Sequence, residues 1–161
     1  MPITSVTSDP KALTLTVVAD YPVPVERLWN AYADARQLER FWGPREWPAT
    51  FLRHDMVVGG RSEYVMNGPD GQTSRGWFRF LAIEPNRLLD LEDGFADESG
   101  QPNDAMPTMR MTYTFEATAT GSRFTGVTVF PSLEAMEQLI AMGMLEGMQS
   151  AMSQIDEILA E

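Results

Sequence analysis

The sequence predicts an α+β fold, with an antiparallel sheet of about seven strands, two short helices after the first strand and one long C-terminal helix. Three observations lead there. From Trp47 onward the chain breaks into short strand-like runs divided by turn residues, at the spacing of a meandering sheet. Helical periodicity is confined to a short stretch after Pro24 and a long one after Ser132. The linear order of strand, two helices, six strands and helix cannot build a doubly wound parallel sheet, which needs strands and helices in alternation.

The first strand is read in Lys11 to Asp20, where Leu13, Leu15 and Val17 alternate with Thr14, Thr16 and Val18. Pro22 and Pro24 stop it. Val25, Leu28, Trp29 and Tyr32 then recur at helical spacing, with Pro24 suited to a first turn that does not need its amide hydrogen. Asp34 caps a second helix, Ala35 to Phe41, which ends at Trp42-Gly43-Pro44. The remaining strands are expected at 47–54, 61–67, 72–83, 87–93, 108–117 and 122–130. Their turns are Gly59-Gly60, Asn67-Gly68-Pro69-Asp70-Gly71, Glu84-Pro85-Asn86 and Ala119-Thr120-Gly121-Ser122, all rich in residues that tolerate turn dihedrals. Gly94 to Pro107, acidic and rich in glycine, proline and asparagine, reads as a mobile loop. Ser132 caps the last helix, in which Met136, Ile140, Met144, Gly147, Met148, Ala151, Ile155 and Leu159 form one apolar stripe over about seven turns.

A chain of 161 residues with 43% hydrophobic content suits one domain over 1–161, its ordered core running from about 11 to 160. Twelve basic and twenty-three acidic side chains leave a net charge of -11, which repels phosphate backbones and anionic headgroups and argues against a nucleic-acid partner. The run Met1-Pro2-Ile3-Thr4-Ser5-Val6 lacks the basic start and apolar stretch of a secretory signal, and no window reaches the ~20 apolar residues of a membrane span. A cytoplasmic protein without membrane insertion is expected. The absence of cysteine removes disulfides and thiolate chemistry, and a single histidine, His54, cannot form a histidine cluster for zinc or iron. No cofactor, metal site or catalytic residue is therefore expected.

Five segments carry a resemblance to known proteins. They are Pro22-Val23-Pro24-Val25-Glu26-Arg27-Leu28-Trp29, then Phe41-Trp42-Gly43-Pro44 with Trp47, then Gly59-Gly60-Arg61, then Tyr64-Val65-Met66-Asn67-Gly68-Pro69-Asp70-Gly71, and finally Met142-Gly143-Met144-Leu145-Glu146-Gly147-Met148. In this order they make the chain resemble the START-like (SRPBCC) superfamily, and within it the activator of heat-shock-protein-90 ATPase homologue-like family. The resemblance implies a helix-grip fold, in which a curved sheet and the C-terminal helix enclose an apolar cavity. It does not imply one activity, because the superfamily holds lipid carriers, hormone receptors, cyclases, a self-sacrificing resistance protein and co-chaperones.

With a cavity implied, eleven residues are candidate ligand contacts. Trp42, Trp47, Tyr64, Phe78 and Tyr113 are aromatics suited to a cavity or its mouth, and Trp77 shares their character. Trp42 with Gly43-Pro44 serves equally well as a plug at the sheet end. Met109 and Met111 on a strand, with Met144 and Met148 beside Met142 and Met152 on the helix, offer an adaptable apolar wall or ordinary core. Gly143 and Gly147 each cost a helix roughly 0.8–1 kcal/mol, so they mark room for a ligand, close packing, or a bend.

The polar candidates are weaker. Glu92-Asp93 and Asp97-Glu98 read as solvated charge, with Glu92 the carboxylate to watch if one turns inward. Arg79 is a candidate inward guanidinium for an acidic ligand, whereas alternation with Met109 and Met111 turns Arg110 outward. His54 reads as a hydrogen-bonded residue. The preferred function is noncatalytic binding of a small apolar or amphipathic ligand. The alternatives are a co-chaperone-like interaction module and an enzyme acting on a hydrophobic substrate. Co-chaperones of this kind carry a further N-terminal domain that this chain has no room for, which counts against a chaperone partner. An open apolar face beside the long helix leaves a homodimer open.

Overall fold

A computed structural model of the chain describes residues 3–161, so Met1 and Pro2 of the N-terminal run lie outside the described residues. Eight strands, β1 (Ile3–Asp9), β2 (Thr14–Tyr21), β3 (Ala49–His54), β4 (Arg61–Asn67), β5 (Thr73–Glu84), β6 (Leu88–Ala96), β7 (Met109–Thr118) and β8 (Gly121–Val129), form one sheet. Its order is β1-β2-β8-β7-β6-β5-β4-β3, with every pair antiparallel. The helices are α1 (Val25–Ala33), α2 (Ala35–Trp42), α3 (Leu133–Ala141), α4 (Met144–Met152) and α5 (Ile155–Leu159).

Two expectations need correction. The sheet has an extra edge strand, β1, whose ITSVTSD sequence is mostly exposed and keeps only Ile3 and Val6 partly buried. A strand with so few apolar side chains gives no alternating pattern to read. The predicted first strand begins at Thr14 rather than Lys11, because Asp9 accepts hydrogen bonds from the Lys11 and Ala12 amides and turns the chain there.

The long C-terminal helix is also three helices. Gly143, at φ +93°, ends α3 in the left-handed conformation, and its amide donates to the Ile140 carbonyl at 3.0 Å. This is a glycine C-cap inside the stripe, and it permits a change of direction that an L side chain resists. A second, milder break at Ser153-Gln154 keeps right-handed dihedrals and tightens to an i→i−3 bond from the Gln154 amide to the Ala151 carbonyl.

Strict alternation drives one face of the sheet inward. Leu15, Val17, Ala19 and Tyr21 on β2 are buried, as are Met109, Met111 and Phe115 on β7 and Phe124 on β8. Irregular registers at Phe51/Arg53 and Phe80/Ala82 bend β3 and β5. The Asp34 carboxylate caps α2 through the Arg36 amide. Both short helices seat an aromatic cluster on the inner face, where Trp29 meets Phe115 edge-on at 5.2 Å and Tyr32 stacks on Phe124 at 5.3 Å.

The C-terminal segment is tied to these helices by polar contacts. Arg27 donates to the Ile158 carbonyl at 2.6 Å and to Gln37 at 2.7 Å, and Gln154 donates to the Gly43 carbonyl at 2.9 Å. Arg40 pairs with Glu161, and Arg45 with Glu157. No helix among the described residues is long and apolar enough to cross a membrane.

Candidate functional site

Between the inner sheet face and the segment α3–α4 lies a cavity of about 370 Å³. Its floor comes from alternate residues of five strands, among them Leu15 and Val17, Tyr64 and Met66, Met109, Met111 and Tyr113, and Phe124. Tyr32, Phe41, Trp42 and Pro44 close one side. The roof is Leu139, the break at Met142-Gly143, and Met144, Gly147, Met148, Ala151 and Met152. Seven methionines line it, of eleven in the chain. Met142 is 60% exposed, which places it at the rim.

Nine of the sequence-predicted residues therefore meet at one cavity: Trp42, Tyr64, Met109, Met111, Tyr113, Gly143, Met144, Gly147 and Met148. The two glycines have different reasons for being there. Gly143 makes the break. Gly147 lies inside α4 with ordinary dihedrals, and a methyl group added to it would meet only the Pro44 ring, at 3.5 Å. Gly147 is thus not demanded by close packing, and it leaves part of the space empty.

Trp47 and Phe78 do not line the cavity. Trp47 packs over Gly68 at the turn between β4 and β5, where a Cβ would come within 2.7 Å of its indole. Phe78 is fully buried behind the wall and supports Trp42 at 5.2 Å. Trp77 points to the opposite sheet face. It donates from its indole nitrogen to the Phe95 carbonyl at 3.1 Å, and the Arg61 guanidinium lies 5.6 Å above its ring.

The polar residue that sequence reasoning misplaced is Asp93. Glu92 faces outward opposite Arg79, 3.4 Å away, so Arg79 is not an inward guanidinium either; Arg110 likewise pairs outward with Asp90. Asp93 faces the cavity, with 7% of its surface exposed. The pattern could have shown this, since Leu89, Leu91, Asp93 and Phe95 occupy alternate positions of β6, the parity opposite to Glu92. The loop expected from Gly94 begins only after Ala96. It is held by Asp97, whose carboxylate accepts from the Ser99 and Gln101 amides, and by a bridge from Ala96 to Pro102.

Asp93 is an unusual group for such a place. Its Oδ1 accepts a hydrogen bond from the Tyr64 hydroxyl at 3.2 Å, and no other side-chain partner is present among the described residues. Burial disfavours the charged form and pushes its pKa up to about 7, although the Tyr64 hydrogen bond works the other way. The phenols of Tyr32, Tyr64 and Tyr113 are held well above their ordinary range, chiefly by burial, and stay neutral donors. None of the described residues lining the cavity is basic. Outside it, His54 bridges Ser62, at 2.6 Å, and the Tyr32 carbonyl, at 3.2 Å; burial lowers its pKa and favours the neutral ring.

A curved antiparallel sheet gripping C-terminal helices across an internal cavity defines a helix-grip protein of the START-like class. Residues 22–160 match the family model described as Activator of Hsp90 ATPase homolog 1-like protein, and the chain belongs to that family. A solution structure of an Arthrobacter aurescens protein is similar at 44% identity and a TM-score of 0.93, over 98% of this chain and 91% of that one. A Mycobacterium smegmatis protein is similar at 44% identity and a TM-score of 0.90, over 98% and 97% of the two chains. A Rhodobacter sphaeroides protein, at 22% identity and a TM-score of 0.82 over 97% of each chain, shares the fold. No curated protein matches the chain.

Proposed function

We propose that the protein binds a small hydrophobic or amphipathic molecule in the cavity between the sheet and the segment α3–α4, without catalysing a reaction on it. The observation that carries this reading is the cavity of about 370 Å³, since folded interiors ordinarily pack to crystal-like density with few voids larger than water. The volume falls in the range of small-molecule sites, ~300–1,000 Å³. Met109, Met111, Met144 and Met148 are the adaptable contacts, because unbranched thioether chains reshape at low cost around varied guests. Trp42, Tyr64 and Tyr113 supply flat apolar surface, and Gly143 and Gly147 keep the roof clear. Phe78 acts behind Trp42 as support.

Native mass spectrometry of the protein purified from its own host tests this, together with titration by the neutral dye Nile red. A reproducible adduct lost on denaturation, or saturable dye uptake competed by small apolar compounds, is the expected result. A bare mass combined with no saturable uptake would remove the reading.

One observation favours a second reading. A carboxyl group with a pKa of about 7, beside a phenol in an apolar cavity, has the environment of a general acid or base. On this reading the bound molecule is a substrate. Incubating the extracted ligand with the wild type and with Asp93→Asn decides it: a mass change with the wild type alone would favour catalysis, and an unchanged ligand with both would favour binding.

A further inference from the structure

We propose that the ligand of this cavity carries a cationic amine, which pairs with the Asp93 carboxylate beside the rings of Tyr64 and Trp42, so that the site selects cationic amphiphiles over neutral and acidic ones. The proposal rests on the cavity-binding reading and names the chemistry of its ligand.

Asp93 is 7% exposed and sits in the wall between Phe78 on β5 and Met109 on β7, its partners in register. One oxygen accepts from Tyr64, and the other has no protein partner among the described residues. A buried carboxylate with no counter-ion is costly, and beyond the single Tyr64 hydrogen bond the cost falls when the group takes up a proton or when a cation comes to it. Burial has brought its pKa to about 7, so the anion remains accessible near neutrality.

The surroundings favour a cation from the ligand. With no Lys, Arg or His among the described residues lining the cavity, an acidic ligand would meet this carboxylate with nothing to pair either charge. Tyr64 and Trp42 both line the cavity, their rings edge to face at 5.8 Å, and aromatic faces attract ammonium groups. The methionine-rich roof accommodates an apolar body, and a net charge of -11 draws cations toward the protein.

The test uses octylamine, octanol and octanoate, which share a chain length and differ in the head group, as competitors of Nile red at about pH 8, above the Asp93 pKa of about 7. The expected order is octylamine at least tenfold tighter than octanol, with octanoate weakest. In Asp93→Asn the amine should fall to the level of the alcohol, with circular dichroism reporting the fold. If that variant does not fold, the amine-to-alcohol ratio of the wild type still decides. Saturable Nile red with no preference for the amine would overturn this proposal and leave cavity binding standing. Loss of dye and all three probes together would overturn both.

Discussion

The Tyr64 hydroxyl reaches Asp93, at 3.2 Å, across the intervening strand β5, and it does so over Gly76. A Cβ on Gly76 would lie 2.3 Å from the Tyr64 Cζ and hydroxyl oxygen, so the phenol occupies the place where a side chain would stand. Gly76→Ala should therefore displace the ring, break its bond to Asp93 and cost about 1–3 kcal/mol of stability through overpacking. Urea denaturation measures the cost, and an unchanged midpoint would show that the ring moves freely.

The raised pKa of Asp93 predicts a pH dependence of folding with a definite sign. The unfolded carboxyl titrates near its ordinary 3.8 and the folded one at about 7, so the folded state holds its proton longer. The stability this contributes is complete below pH 3.8, declines as pH rises, and is gone above about pH 7. At ~1.4 kcal/mol per pH unit the full span is at most about 4 kcal/mol. Exposed carboxylates with lowered pKa values, such as Asp20 and Glu161, act in the opposite direction. The informative quantity is thus the wild type minus Asp93→Asn: the variant should gain on the wild type between pH 5 and pH 8, and a constant difference would refute the burial argument.

The two roof glycines should respond oppositely to alanine. Gly143→Ala forces a left-handed residue to carry a Cβ and should destabilise by about 1–2 kcal/mol. Gly147→Ala removes a helix-interior glycine where there is room for a methyl, and should stabilise by roughly 0.8–1 kcal/mol. A larger side chain tests the space directly: Gly147→Phe should abolish Nile red uptake while the far-ultraviolet circular dichroism stays native.

Arg27 holds the end of the chain down. Removing its guanidinium in Arg27→Ala deletes the bonds to Ile158 and Gln37, each a charge-assisted contact of the ~1.5–3 kcal/mol kind. Hydrogen exchange should accelerate in α5 first. Uniform acceleration over the sheet as well would mean that the C-terminal segment does not open by itself.

The order of elements was legible because most strands bury one face and therefore alternate. β1 was not, because Thr4, Ser5, Thr7 and Ser8 are exposed and give the strand no apolar rhythm. The division of the C-terminal segment into three helices was hidden for a different reason. Met136 and Ile140 before the break and Met144 and Met148 after it keep helical spacing across Gly143, so the stripe reads as continuous although the axis is not. At the cavity, the residues chosen for apolar bulk on inward strand faces or in the closing segment were legible. Trp47 and Phe78 show the limit of that reasoning, since aromatic character alone does not distinguish a cavity wall from a residue packed elsewhere. Asp93 was obscured by its neighbour Glu92, which has the same chemistry and the opposite parity.

The pairing of β2 with β8 sets Thr14 opposite Val129 and Tyr21 opposite Ser122. During synthesis β2 can form only its hairpin with β1 until nearly the whole sheet has left the ribosome, and its other edge stays unpaired through that interval. Contacts so distant in sequence make folding slow, and an open strand edge invites association between nascent chains. The floor of the cavity thus depends on β8, the last strand of this sheet in chain order, and its roof on the segment after it, so a truncated chain ending before β8 has no cavity to fill.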